Sequence, residues 1–233
     1  MQKNKIIFIG GVPGVGKTSI SGMLARKFGI DIMLSTDYLR EFVRPLVNDA
    51  NARDILSVSV YEAWKKFGEK SYENIINGYL KQSDYICSGI SATIDRAVKN
   101  GENLIIESLY FNEPLAETIK RNGVCAAYIY ISDFTTHTKR LNERQLYTHF
   151  NSPGQRLSAQ LDVYGTIMKY SEALAKKNGI DTFDNLDFQE TAKKIFDSVG
   201  RFYGNDKIRN CEALAPGQGD AFQTQQKRHV RRG

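Results

Sequence analysis

The sequence predicts an α/β fold, a parallel sheet with helices on both faces, on the strength of three observations. Short apolar runs recur along the chain, segments of helical periodicity separate them, and a glycine-rich turn joins the first run to the first helix. Lys5 to Gly10 is a continuous apolar run ending in glycine, the pattern of a strand buried on both faces. Thr18 to Phe28 then puts Ile20, Met23, Leu24 and Phe28 at helical spacing, with Gly29 as a C-terminal cap. Asp31 to Thr36 reads as the second strand and delivers Asp37 at its carboxyl end, where open α/β sheets bind ligands.

Residues 38 to 100 carry almost no strand signal and two helical patterns, Ile55 to Phe67 and Tyr72 to Lys99, the latter stopped by Asn100-Gly101. This stretch is expected to be a helical insertion. Asn103 to Leu109 is a third strand carrying one carboxylate, Glu107, and Val124 to Ser132 is a fourth, with a helix from Glu113 to Arg121 between them. Thr136 to Asn178 is helical again but broken at Asn151-Ser152-Pro153-Gly154, which suggests two helices joined by a loop. Ile180 to Phe183 is the fifth strand and Phe188 to Tyr203 the final helix. The expected layout is one domain over residues 1–204, with the insertion at 38–100, a lid at about 136–160, and a basic tail over 205–233 whose composition suggests disorder.

At 233 residues, 41% hydrophobic and 25% charged, the chain suits a single globular core, and no segment approaches the roughly 20 apolar residues of a membrane span. The first strand begins at Lys5, leaving no room for a secretory signal, so a cytoplasmic location is expected, as monomer or homodimer. Cys87, Cys125 and Cys211 show neither disulfide nor metal-ligand spacing and read as incidental thiols. The net charge of +6 raises the question of nucleic acid. However, six basic against three acidic residues beyond Asn205 put half of the excess in the tail, so a nucleic-acid partner is not favoured.

The turn after the first strand is Gly11-Val12-Pro13-Gly14-Val15-Gly16-Lys17-Thr18, with the spacing of a phosphate-binding P-loop. Backbone N–H groups from Gly11, Val12, Gly14, Val15, Gly16, Lys17, Thr18 and Ser19 are expected to cradle the phosphates of ATP, since side chains at the glycines would obstruct them. The helix that follows adds its own unpaired N–H groups and positive dipole end. Lys17 would bridge β- and γ-phosphate oxygens, and the Thr18 hydroxyl would be a ligand of Mg²⁺. With this motif the fold becomes a P-loop NTPase three-layer sandwich of five parallel strands, with a helical substrate-binding insertion and a helical lid.

A P-loop names the nucleotide but not the reaction. A switch GTPase would carry an Asn-Lys-x-Asp segment, which is absent, and an oligomeric motor would carry paired acidic residues after an apolar strand, where this chain has only Leu104-Ile-Ile-Glu107. A small-molecule kinase needs a carboxylate for the attacking hydroxyl and a forked cation for an acidic acceptor. Asp37 and Arg40, three apart, fit those roles, with Arg44 one turn on, although an N-capping aspartate and a solvated arginine would look the same. Glu107, costly to bury in an apolar strand, is a further acceptor or metal-water ligand. Arg140 and Arg144 are four apart on one helix and, with Arg156 beyond the break, form a candidate clamp on the moving phosphoryl group, the alternative being a solvated basic face.

The segments Gly10-Gly-Val-Pro-Gly-Val-Gly-Lys-Thr, Ser35-Thr-Asp-Tyr-Leu-Arg, Tyr61-Glu-Ala-Trp64, Ile94-Asp-Arg-Ala97 and Leu104-Ile-Ile-Glu-Ser resemble, in order, those of the archaeal 2-phosphoglycerate kinases. His137-Thr-Lys-Arg-Leu-Asn-Glu-Arg144 resembles the lid region of that family, and the likeness runs from residue 5 to about 185. It implies transfer of the ATP γ-phosphate to 2-phosphoglycerate, giving 2,3-bisphosphoglycerate, with Asp37, Arg40 and Glu107 facing a small acidic acceptor. The sequence departs from the family at Ser108, where a glycine is expected, and over Leu109-Tyr-Phe-Asn-Glu-Pro. Two other readings stand beside it: a kinase of an RNA-linked acceptor similar to seryl-tRNA kinases, motivated by the tail Gln226-Lys-Arg-His-Val-Arg-Arg, and a non-catalytic nucleotide-binding module.

Overall fold

The structure, a computed structural model, describes residues 4–147 and 154–204, with the side chains of 144–147 excepted. The basic tail and the turn residues Asn151 to Pro153 lie outside the described residues. Five strands form one sheet: β1 (Ile6–Gly10), β2 (Ile32–Ser35), β3 (Leu104–Ser108), β4 (Cys125–Tyr130) and β5 (Asp181–Asp184). Their order is β2-β3-β1-β4-β5 and every neighbouring pair is parallel. Central position explains why β1 and β3 are buried at every residue. β2 lies at an edge, which leaves Ile32 and Met33 exposed.

The helices follow the sequence periodicity in most places. α1 (Lys17–Phe28) leaves the phosphate loop and ends on Gly29, whose left-handed backbone (φ 63°) closes the cap onto Ala25. α2 (Thr36–Val43) springs directly from β2, and α3 (Ala50–Ser57) follows a 3-10 turn at Arg44–Leu46. α4 (Tyr72–Asn100) is the long helix expected from Tyr72, capped by the Ser71 hydroxyl and stopped at Gly101. α5 (Glu113–Asn122), α6 (Phe134–Tyr147), α7 (Gly154–Ser158), α8 (Leu161–Lys177) and α9 (Phe188–Tyr203) complete the chain. The expected pair of helices around the Pro-Gly break is thus three, because the short α7 folds back on α6.

The single helix expected over Ile55 to Phe67 does not form. α3 stops at Ser57, the chain is extended at Val58 and Ser59, and a 3-10 segment runs over Val60–Lys66. Ser57 and the β-branched Val58 are weak helix formers, and the Ser57 hydroxyl donates back to the Asp54 carbonyl at 2.7 Å. The carbonyls at the break find partners elsewhere. Gln82 Nε2 donates to Ile55 O (2.7 Å) and Val58 O (3.0 Å), and Arg40 Nη2 donates to Leu56 O (2.9 Å) and Val58 O. The 3-10 segment presses on α4 at Gly78, where any Cβ would lie 2.6 Å from Trp64 N.

Polar groups tie the helical layer to the sheet. The Tyr79 hydroxyl on α4 is fully buried; it accepts from Phe111 N (2.8 Å) and Ser171 Oγ (3.0 Å) and lies 3.0 Å from the Phe111 carbonyl. Tyr110 donates to Gln82 Oε1 at 3.1 Å. Thus α4, α8 and the β3–α5 loop share one buried network.

Candidate active site

The phosphate loop leaves β1 between β3 and β4, the point at which the strand order reverses and where sheets of this kind bind ligands. Gly11 N–H donates to Ser108 O at 3.0 Å, fixing the entry to the end of β3. Val12 and Val15 are fully buried, so these two predicted nucleotide contacts present only backbone to a ligand while their side chains anchor the loop in the core. Gly14 and Gly16 adopt φ of 84° and 94°, the left-handed region that turns consecutive N–H groups toward one point. Lys17 opens α1 and its Nζ arches back to donate to Val12 O at 3.0 Å. The predicted residues Thr18 and Ser19 stand exposed on the first turn.

Two side chains that the motif does not contain hold the loop from outside. His137, buried on α6, donates from Nε2 to Pro13 O at 2.8 Å; a carbonyl only accepts, so the neutral ring carries its proton on Nε2. Burial lowers the His137 pKa, the Pro13 hydrogen bond opposes that shift, and the charges of Lys17 and Arg140 reinforce it. Asn185, the first residue after β5, donates from Nδ2 to Val15 O at 2.8 Å. Its Oδ1 is buried without a hydrogen-bond partner among the described residues. A Cβ at Gly14 would meet Leu141 at 2.7 Å, and one at Gly16 would meet Asn185 Nδ2 at 2.8 Å, so α6 and the β5 terminus both close on the loop. In the sequence His137 stands out only as part of the lid run, and Asn185 does not stand out. The one local signal for Asn185 was its place at the carboxyl end of a strand.

Glu107 lies on β3 in register with Ile9 of β1 and Ser35 of β2, 6% exposed, with Oε2 buried and without a hydrogen-bond partner among the described residues. Ser108 is not idle at the position where glycine was expected. Its hydroxyl accepts from Thr36 Oγ1 (3.1 Å) and from Tyr110 N (2.9 Å), locking the start of α2 to the β3–α5 loop. Ser35 is the N-cap residue of α2, so Asp37 sits in the first turn rather than at the cap, with its side chain exposed. The phosphate loop, Glu107 and Asp37 therefore line the carboxyl edge of β1, β3 and β2.

The arginines are more dispersed. Arg40 turns one nitrogen to the Leu56 and Val58 carbonyls and another, Nη1, to Glu41 at 2.9 Å, while its Nε is buried without a hydrogen-bond partner among the described residues. Arg44 is paired with the same carboxylate at 2.7 Å. Arg140 Nη2 donates to Leu186 O at 2.9 Å and faces Asp187 and Asp184, which places it against the β5–α9 connection beside Asn185. Arg144 is on α6, but its side chain lies outside the described residues. Arg156 is exposed on α7. Among the described residues no three His, Cys, Asp or Glu side chains gather to hold a metal, and no helix is long and apolar enough to cross a membrane.

No protein-family model matches the chain. Among curated proteins it is 49% identical over 201 residues to the mevalonate-3-phosphate 5-kinase of Thermoplasma acidophilum, covering 86% of this chain and 98% of that enzyme. It is 30% identical to the 2-phosphoglycerate kinase of Pyrococcus horikoshii and 26% identical to that of Methanocaldococcus jannaschii, over 85% and 83% of this chain. The chain belongs to the P-loop kinase family of these enzymes. It spans 65% and 62% of the length of the two 2-phosphoglycerate kinases. In fold it is similar to the shikimate kinase of Acinetobacter baumannii in complex with shikimate (TM-score 0.50, 15% identity, 88% of this chain and 97% of that one). As a member of this kinase family the chain is an ATP-dependent phosphotransferase with an alcohol group as acceptor. Phosphoryl transfer rests on positioning and charge stabilisation, and the phosphate loop, Lys17, Glu107 and Asp37 stand at the carboxyl edge of the sheet.

Proposed function

We propose that this kinase transfers the γ-phosphoryl group of ATP to the 5-hydroxyl of mevalonate 3-phosphate. The observation that carries the reading is 49% identity over 98% of the length of the Thermoplasma enzyme, against 25–30% identity to the 2-phosphoglycerate kinases. 2-Phosphoglycerate is the second reading, favoured by the Ser35-Thr-Asp-Tyr-Leu-Arg run. Both acceptors join a carboxylate and a phosphate ester to a primary alcohol, so the same cations suit either. Mevalonate 3-phosphate adds a methyl group and two methylenes, and of the departing residues Ser108 bonds Thr36 next to Asp37 and Tyr110 feels the Arg40 and Asp37 charges, where such an acceptor would bind.

In this reading Lys17 and the loop amides neutralise the β- and γ-phosphate oxygens. Asp37 orients the alcohol and takes its proton as the new P–O bond forms and the bond to the β–γ bridging oxygen breaks. Arg144 stabilises charge on the group in flight, and Arg140 holds the nucleotide against the β5–α9 connection. Arg40 and Arg44 receive the acceptor's anionic groups. The unpartnered Glu107 oxygen and the exposed Thr18 hydroxyl fit a hydrated Mg²⁺, which when bound supplies positive charge to the phosphates. Initial rates of ADP release test the proposal. The kcat/KM for mevalonate 3-phosphate should exceed that for 2-phosphoglycerate by about a hundredfold or more, since the two acceptors differ by one methyl and two methylenes and a single methylene is worth roughly 10- to 200-fold. A preference for 2-phosphoglycerate would overturn it.

A further inference from the structure

Asp37, Arg40, Glu41 and Arg44 are spaced i, i+3, i+4 and i+7 and share one face of α2, with Tyr38 and Phe42 on another. Asp37 begins this face at the sheet edge, and Arg44 ends it about 10 Å further along the axis. The Glu41 carboxylate bridges the two arginines: Oε1 accepts from Arg40 Nη1 at 2.9 Å and from Arg44 Nη1 at 3.0 Å, and Oε2 accepts from Arg44 at 2.7 Å. Beside it opens a cavity of about 310 Å³ lined by Glu41, Arg44, Pro45, Arg53 and Ser57. Arg53 donates from Nε and Nη2 to Val47 O at the rim. The recess is lined by two cations, Arg44 and Arg53, beside the carboxylate that also holds Arg40, and that carboxylate is 57% exposed.

From this geometry we infer that Glu41 is a built-in counter-anion of the acceptor site. It occupies Arg40 and Arg44 where the acceptor's own phosphate or carboxylate will sit, and it yields them only to an acceptor carrying enough negative charge to displace it. Glu41 thereby sets the charge the acceptor must bring, with Arg53 as a further cation lining the recess beside Arg44. An alcohol with one anionic group meets the Glu41 charge with too little attraction to compensate, which is discrimination by repulsion rather than by fit. Exposure of the carboxylate makes the exchange feasible, since a surface ion pair is held weakly. The inference rests on the proposed acceptor class but is tested separately from it.

The full chain and its Glu41→Gln variant are compared in two measurements. In the first, kcat/KM is determined for mevalonate 3-phosphate and for mevalonate, which lacks the phosphate. The variant should narrow the ratio between them by about tenfold, the scale of one lost like-charge contact, and an unchanged ratio would overturn the inference. In the second, inorganic phosphate is titrated calorimetrically into protein whose P-loop is filled by a non-hydrolysable ATP analogue. Phosphate should bind the variant about tenfold more tightly than the wild type, and equal affinity would overturn the inference. If the wild type turns over neither alcohol, the acceptor assignment fails by itself and the phosphate titration alone decides the role of Glu41.

Discussion

His137 and Pro13 are 124 residues apart, yet their 2.8 Å hydrogen bond fixes the crown of the phosphate loop. A His137→Phe variant keeps the bulk but leaves the Pro13 carbonyl without its donor. Its KM for ATP is expected to rise about tenfold with a smaller change in kcat, whereas His137→Gln, which can still donate, should recover most of the loss. Because burial holds the His137 pKa below its usual value near 6.5, protonation favours the unfolded chain. This contribution to stability is complete above about pH 6.5 and is lost as the pH falls toward the depressed folded-state value. Melting temperatures at pH 7.5 and 5.5 check it: the wild type should lose more on acidification than His137→Gln, and equal losses would exclude the effect. For Lys17→Ala, removal of a charge aimed at the transferring group should lower kcat about a hundredfold or more with the fold retained by circular dichroism. Lys17 was legible from eight contiguous residues. His137 and Asn185 were not, because their part in the site exists only once α6 and β5 have packed against the loop.

At the scale of elements, strands were easier to read than the joints between helices. Buried β1 and β3 are continuous apolar runs, and the carboxylate that interrupts β3, Glu107, is buried at the candidate site. The break between α3 and the 3-10 segment was only half visible: Ser57 and Val58 weaken the helix locally, but the Arg40 and Gln82 side chains that take up the Ile55, Leu56 and Val58 carbonyls come from elsewhere in the chain. Sequence spacing put Arg40 beside Asp37, but it could not show that one of its nitrogens is committed to that joint. Gln82→Leu should therefore strand the Ile55 carbonyl and the Tyr110 hydroxyl, while Val58 O keeps Arg40 as donor, costing about 1–3 kcal/mol in a denaturant titration. Asp37→Asn acts on the exposed first turn of α2 instead, and should abolish most phosphoryl transfer while leaving ATP affinity within about twofold by calorimetry. A parallel loss of nucleotide binding would place Asp37 at the nucleotide rather than the acceptor.

The whole molecule couples two layers through few polar contacts. The sheet carries the phosphate loop, α2 and α3 carry the charges proposed to face the acceptor, and the network around Tyr79 joins α4 and α8 to the loop that follows Glu107. Tyr79→Phe is expected to destabilise the fold by about 1–3 kcal/mol, because it leaves the buried Phe111 N–H and the Ser171 hydroxyl without their acceptor. The five-stranded parallel sheet and the kinase class were accessible from alternation and motif, whereas the strand order was not. Acceptor identity was not, since a 2-phosphoglycerate site and a mevalonate 3-phosphate site demand the same cations and differ in the shape of the space between them. Phosphorus NMR of the product formed from ATP and mevalonate 3-phosphate tests the proposed reaction most directly. A new phosphomonoester signal coupled to a methylene group, beside the original ester, is the expected result; no new ester from this acceptor, under conditions where 2-phosphoglycerate is converted, would contradict it.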